Sequence, residues 1–295
     1  MNFGSASLLA SNAAKISLPD EVRMIVVDCY STADERDRVA RISLEHGWEP
    51  VLLNENAGFG GGTNAGVDAA LRDGADVVIA LNPDAHLSTE AIQDLVASAA
   101  AHPDALVSPR IISGDGSPWF AGSDLYLDDG TIASSRRREE RAGRPRHPWA
   151  TGACFALSRE LWASVGGFDP DYFLYWEDVD LSRRVLDVGG RLLSIDAVVV
   201  HDEGQTHADA SKHDRRKSET YYYYNIRNRL LYAAKHLEQA GIRQWMRSSP
   251  RVSMEILLQG GKGQLLTSLK PWRALWRGLR DGRQFALEAE RAEEV

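Results

Sequence analysis

The chain has 295 residues, with 34 Lys+Arg against 42 Asp+Glu and a formal net charge of −8. Its 43% hydrophobic and 26% charged residues are ordinary globular composition, which excludes wholesale disorder, and the acidic balance argues against nucleic acid as a partner. Cys29 and Cys154 are too few for a disulfide framework, no apolar run reaches the ~18 residues of a membrane span, and residues 1–5 have no leader character, so a cytoplasmic α/β protein is expected.

In chain order, Met24-Ile25-Val26-Val27 reads as a strand ending at Asp28, followed by a helix over 34–46 with Val39, Ile42 and Leu44 as its apolar positions. Residues 49–53 read as a second strand. It runs into the glycine cluster 56–64, read as a flexible turn before a short helix over 65–72. The cluster fits no GxGxxG register and has no Walker lysine. Residues 77–81 are apolar on both faces, as in the middle of a covered parallel sheet. A helix over 89–101 and a strand over 105–112 continue the alternation that defines an α/β layer architecture. Residues 113–148 are rich in Gly, Ser and Asp and then basic, and read as an inserted hairpin and mobile loop. A short helix over 159–165, a helix over 178–188 and extended pieces over 191–200 lead to His201. The expected division is a domain over 1–210 and a helical C-terminal extension over 211–295.

Asp28 ends one strand, Asp84 follows another by three residues, and His201 follows a third directly. In open α/β sheets, polar residues beyond strand C-termini converge on one edge, provided the strands are parallel. Two acids and an imidazole there could hold a hard cation and a diphosphate; capping by either aspartate is the competing reading. Glu177-Asp178 opens a helix directly after Phe173, Tyr175 and Trp176. Carboxylates at a helix N-terminus serve as caps, and an acid behind an aromatic wall also makes a good general base. Trp149, Tyr175 and Trp176 could stack on a ligand or belong to the core.

Taken together, Val26-Val27-Asp28, the run 56–64, Leu81-Asn82-Pro83-Asp84, Trp149-Ala150-Thr151-Gly152-Ala153, Gly166-Gly167-Phe168-Asp169, Glu177-Asp178-Val179-Asp180-Leu181 and His201 resemble a family 2 glycosyltransferase, nearest the rhamnosyltransferase-like branch. The resemblance implies a GT-A fold with a Rossmann-like, mostly parallel sheet. It also implies an inverting transferase using a nucleotide-diphosphate sugar, with rhamnose as one candidate, and a divalent cation, Mn or Mg. Carried over, Asp28 contacts the base, and Asn56, Gly58, Gly60, Asn64 and Asn82 line the donor pocket. Asp84 and His201 hold the metal. Asp178 is the acceptor-activating base, with Glu177 beside it, and the acceptor is a saccharide or a lipid-linked saccharide. Asn82 stands where the strict DxD form has an acid, and Cys29 where Asn is common. The opening strand of the fold is expected to be missing or truncated, with Met1-Asn2-Phe3-Gly4 resembling its end.

Two other readings stay open: a non-catalytic nucleotide-sugar or carbohydrate-binding protein, and a nucleotidyltransferase. Finally, Trp272, Leu275, Trp276 and Leu279 recur at helical spacing among Arg273, Arg277 and Arg280. That stripe either packs on the protein or lies on an anionic membrane surface at its cytoplasmic face.

Overall fold

The computed structural model describes residues 1–201 and 216–292, so the expected boundary at 210 lies outside the described residues. In chain order the elements begin with α1 (Ala6–Asn12), β1 (Ile25–Asp28), α2 (Ala33–Glu45), β2 (Glu49–Leu52), α3 (Gly58–Arg72), β3 (Val77–Leu81) and β4 (Ala85–Leu87). They continue with α4 (Thr89–Ala101), β5 (Ala105–Ser113), β6 (Pro118–Phe120), β7 (Ser123–Tyr126), β8 (Ile132–Ser134), β9 (Arg146–Trp149), β10 (Cys154–Ser158) and α5 (Arg159–Val165). The last are α6 (Glu177–Asp187), β11 (Arg191–His201), α7 (Glu219–His236), α8 (Gln239–Leu258), α9 (Lys262–Thr267) and α10 (Lys270–Ala292). Two compact units divide the chain: Met1–Gly122, Pro148–Phe173 and Glu177–Asp209 form the first, and Ser123–His147, Leu174–Trp176 and Ala210–Val295 the second.

In the first unit, helix starts follow local chemistry. Thr32, Ser88 and Ser158 cap α2, α4 and α5 by accepting hydrogen bonds from Glu35, Ala91 and Leu161 backbone N–H groups. The main sheet has the order β3-β10-β5-β11-β4, with β6 on β5. It is mixed, which corrects the mostly parallel expectation: β10 runs antiparallel to both β3 and β5, while β5 and β11 are parallel. Two antiparallel steps restore direction, so β3, β5 and β11 still end on one edge. Leu95 of α4 packs with Val107, Ala156 and Val199 in one buried cluster. Leu161, Trp162 and Val185 of α5 and α6 pack with Phe155, Leu157 and Phe168 in another.

Helix α3 begins at Gly58, earlier than the expected start at 65. The glycine cluster is helix, not turn, because packing overrides propensity. A Cβ on Gly60 would come within 2.8 Å of Phe168 Cβ, and one on Gly66 within 2.7 Å of Val27 Cγ2, so only glycine lets α3 approach this closely. Strands β1 and β2 pair in parallel as a separate ladder. Between β1 and β3 lies an apolar cavity of about 660 Å³, lined by residues that include Val27, Ile79 and Leu87. Asn2 forms an isolated parallel bridge to Asp28.

In the second unit, β7, β8 and β9 form a three-stranded sheet in the order β8-β7-β9. The basic stretch of the insert is neutralised there: Arg138 reaches the fully buried Asp124 at 2.6 Å, and Arg144 reaches Asp128. The core centres on Trp245 and Arg229, both fully buried. The guanidinium of Arg229 lies 4.9 Å over the Trp245 ring, and burial pulls its pKa down to about 9. It donates to the Asp129 carbonyl at 3.0 Å, the Trp245 carbonyl at 3.2 Å and the hydroxyls of Ser249 and Ser248 at 2.9 and 2.6 Å. Among the described residues, no helix is long and apolar enough to cross a membrane.

Replacing Arg229 with Ala should therefore destabilise the second unit by about 3 kcal/mol or more, since it orphans buried carbonyls and opens a cavity. Arg137→Ala, which removes only an exposed pair with Glu140, should cost under about 1 kcal/mol. Urea unfolding followed by tryptophan fluorescence distinguishes the two outcomes.

Candidate functional site

The edge where β3, β5 and β11 end carries two of the expected groups in contact. Asp84 lies between β3 and β4, and His201 is the last residue of β11, in register with Ala85. Their Oδ1 and Nε2 atoms are 3.3 Å apart. Trp119 stacks on the His201 ring at 4.3 Å and 15°, which helps keep His201 only 5% exposed. Its Nδ1 finds no hydrogen-bond partner among the described residues. Ser88, not Asp84, caps α4, so the competing capping role for Asp84 is filled by another residue. Asn82 holds the turn between them, its N–H donating to the Ala153 carbonyl and its own carbonyl accepting from Ala85.

A carboxylate beside an imidazole with an unsatisfied nitrogen suits a hard divalent cation. Among the described residues no cluster of three or more His, Cys, Asp or Glu side chains forms, and Asp84 and His201 are the two donors that those residues bring together there.

Asp28 is fully buried, and both its carboxylate oxygens are engaged, by Asn2 Nδ2 at 3.0 Å and the Tyr30 N–H at 3.2 Å. Asn56 accepts from the Gly58 N–H at 3.0 Å and so opens α3. Gly58 has φ +74, and a side chain there would collide with the Phe173 carbonyl. Asn64 grips the backbone of Phe168 from both sides, at 2.8 Å each way, so its amide does structural work.

Glu177 and Asp178 fill the first turn of α6. Asp178 accepts from the Gly152 N–H at 3.0 Å and the Val179 N–H at 2.9 Å. It remains partly exposed. Burial raises its pKa to about 6 despite those two hydrogen bonds. Glu177 is buried, and its Oε2 has no partner among the described residues. Burial, and then the charge of Asp178, push its pKa well up. The third acid, Asp180, is fully buried and paired with Arg184 at 2.7 Å, while Arg184 also donates to the Gly167 carbonyl at 2.7 Å. That clamp was absent from the sequence reading, although the i,i+4 acid–arginine spacing signalled it. Trp119 was also missed, because it lies in a segment read as loop.

The aromatic residues separate. Trp149 is half-buried 5.3 Å from Phe120, and its indole N–H lacks an acceptor among the described residues. Trp176 is 4% exposed and packs against Tyr232 and Trp245 within the second unit, so its faces are already covered by protein. Tyr175 sits edge-on to Tyr221 at 5.3 Å. Both Tyr175 and Trp176 have positive φ, 62 and 75, which costs about 1–3 kcal/mol each. Asn228 holds this turn by donating to the Leu174 and Tyr175 carbonyls at 2.9 and 2.7 Å.

Both carboxyls of the Glu177–Asp178 pair have raised pKa values in the folded state. Their stabilising contribution is thus fully present below the unfolded pKa of ~4 and is lost as pH rises through about 6 and beyond. Glu177→Gln should accordingly flatten the stability–pH profile above pH 5 and raise the melting temperature at pH 7.5 by about 2–4 °C. Calorimetric scans of both proteins from pH 4 to 8 check this; a lower melting temperature at pH 7.5 would contradict it.

Residues 6–166 match the family described as Glycosyl transferase family 2. Among similar proteins, the low-salt glycan biosynthesis hexosyltransferase Agl10 of Haloferax volcanii is 25% identical over 216 residues, covering 70% of this chain and 66% of that one. The N-acetylglucosaminyl-diphospho-decaprenol L-rhamnosyltransferase of Mycobacterium tuberculosis is 30% identical over 156 residues, covering 47% of this chain and 51% of that one. The match thus spans less than two thirds of either relative. Two solved structures share the GT-A fold. GalNAc-T7 with UDP, GalNAc and Mn2+ gives a TM-score of 0.52 at 14% identity, covering 88% of this chain and 56% of that one. The mannosyltransferase PcManGT of Pyrobaculum calidifontis with GDP-Man and Mn2+ gives 0.51 at 17%, covering 97% and 84%.

Proposed function

The chain belongs to glycosyltransferase family 2, and from that premise we propose that it is an inverting, metal-dependent transferase moving a hexose from a nucleotide-diphosphate donor to a hydroxyl of a saccharide or lipid-linked acceptor. The observation that carries this reading is Asp178: a reachable carboxylate whose pKa is raised to about 6 and whose position is fixed by the Gly152 N–H. Such a group is ionised at neutral pH and basic enough to take a proton.

Inversion needs one displacement. The acceptor oxygen attacks the anomeric carbon and its proton passes to a carboxylate oxygen of Asp178. The bond from that carbon to the diphosphate oxygen breaks on the opposite face. A divalent cation, when bound, supplies charge stabilisation to the departing diphosphate. Asp84 and His201 are the residues that would hold it, with Trp119 fixing the imidazole plane. Asn82 and the Asn56–Gly60 start of α3 lie toward the donor, where the N-terminus of α3 favours an anion. Asp28 acts on the base through the Asn2 and Tyr30 contacts it organises. Trp149, whose indole N–H has no acceptor among the described residues, is the acceptor-side aromatic best placed to bind a sugar hydroxyl. Rhamnose is one donor sugar consistent with the Mycobacterium tuberculosis relative, and a panel of nucleotide sugars identifies the substrate.

Asp178→Asn removes basicity while nearly preserving shape, so transfer should fall by about 10²–10⁴ with nucleotide affinity unchanged. For the wild type, kcat should fall as pH drops through about 6, where Asp178 becomes protonated. A kcat that stays flat from pH 7.5 to 5 would remove Asp178 from the role. Asp84→Ala should abolish the manganese dependence of nucleotide-diphosphate binding measured by calorimetry. If that dependence survives intact, the cation is held elsewhere. A protein that binds the nucleotide sugar but turns over none of a broad donor and acceptor panel would support the non-catalytic reading.

A further inference from the structure

Helix α10 packs through small residues and leaves Trp272 and Trp276 exposed. Pro271, Ala274, Gly278, Gly282 and Ala286 are the buried positions. A Cβ on Gly278 would come within 2.9 Å of the Tyr223 carbonyl, and one on Gly282 within 3.0 Å of the Arg227 carbonyl, so α7 and α10 meet at backbone distance. The stripe divides: Leu275 and Leu279 pack with the small residues beside Tyr222 and Ile226, while Trp272 and Trp276 stay exposed.

Four large apolar side chains are left outside at the corner of α9 and α10. Leu266 is 89% exposed, Leu269 83%, Trp276 64% and Trp272 39%. Side chains this exposed stand proud of the surface instead of lining a hollow. Trp272 also donates from Nε1 to the Leu265 carbonyl at 3.0 Å, which closes the corner and holds the tips together. Between residues 262 and 280 the charged side chains are Lys262, Lys270, Arg273, Arg277 and Arg280, with no Asp or Glu. Glu219 pairs with Arg273 and Arg277, and Asp281 with Arg280, so the corner keeps a net positive charge on a chain of net charge −8.

We propose that the α9–α10 corner docks the protein on an anionic lipid bilayer, with Leu266, Leu269, Trp272 and Trp276 entering the interface and the basic residues facing the headgroups. Protruding Leu and Trp suit insertion among lipid chains, and Trp is favoured at headgroup depth. The charge pattern selects the partner: each basic residue near an anionic leaflet raises partitioning about five-fold, and a bilayer without anionic lipid offers the acidic protein no such gain. The proposal rests on α7, α9 and α10 alone and is independent of the catalytic reading.

Co-sedimentation of the full chain with vesicles of 30% phosphatidylserine in phosphatidylcholine, and with pure phosphatidylcholine, tests it without any glycan acceptor. At least ten-fold tighter binding to the anionic vesicles is expected, weakening about ten-fold in 0.5 M salt. Leu269→Ser with Trp276→Ser should abolish binding and leave the melting temperature and nucleotide affinity unchanged, since both side chains contact mainly solvent. Should that double variant fail to fold, Lys262→Glu with Lys270→Glu, two exposed changes, should still lose the anionic preference. Equal, negligible binding to both vesicle types would overturn the proposal. So would a lipid-free dimer, seen by sedimentation velocity, that the Leu269/Trp276 variant dissociates, because the corner would then be an interface between two copies.

Discussion

The negative charge of Asp178 rests on two backbone N–H groups, those of Gly152 and Val179, at 3.0 and 2.9 Å. That arrangement sets what its neighbours can be. Residue 152 must come close enough to donate, and a Cβ there would meet the Phe59 ring at 3.0 Å. Residue 179 donates from inside the first turn of α6, where the helix dipole favours an anion. With two hydrogen bonds and partial burial, the carboxylate is held ionised at neutral pH yet remains a usable base. Glu177 carries the cost, being buried behind it with an oxygen that no described residue satisfies. Enclosing two adjacent acids costs stability, and acids with raised pKa values of this kind cluster at functional sites.

A second principle at this edge is direction. Asp84 and His201 belong to segments separated by more than a hundred residues of sequence. They meet at 3.3 Å because β3 and β11 run the same way and end together. The antiparallel β10 between β3 and β5 does not disturb this. It provides hydrogen bonds to both neighbours while leaving their C-terminal ends on one side. The meeting of Asp84 and His201 therefore depends on strand direction more than on strand pairing.

This explains how much was legible in the sequence. The acids and the histidine after apolar strands, and the acid pair before an amphipathic helix, follow from strand and helix periodicity, and their positions could be marked residue by residue. Other features could not. The start of α3 at Gly58 is decided by its approach to Phe168 and Val27, a tertiary contact that glycine propensity argues against. The mixed sheet arises because β10 enters between strands far from it in sequence. Trp119 looked like part of a loop until it stacked on His201. Trp176 could be read as a sugar platform or as core, and Tyr232 and Trp245 packed against it decide for core. Arg229 gave no sign of burial, since its partners are backbone carbonyls and serine hydroxyls distant in sequence.

The α9–α10 corner shows the same limit from the other direction. Periodicity identified an apolar stripe on α10 but not which face of the helix is covered. The glycines decide that, by admitting α7 at backbone distance. For the proposed function, the central step is a single displacement assisted by Asp178. The most direct test is proton NMR of the first-formed product with a nucleotide sugar the protein accepts, reading the coupling constant of the transferred anomeric proton. A configuration opposite to that of the donor is the result predicted. A product that retains the donor configuration would contradict the account, because one base-assisted attack from the face opposite the diphosphate cannot produce it.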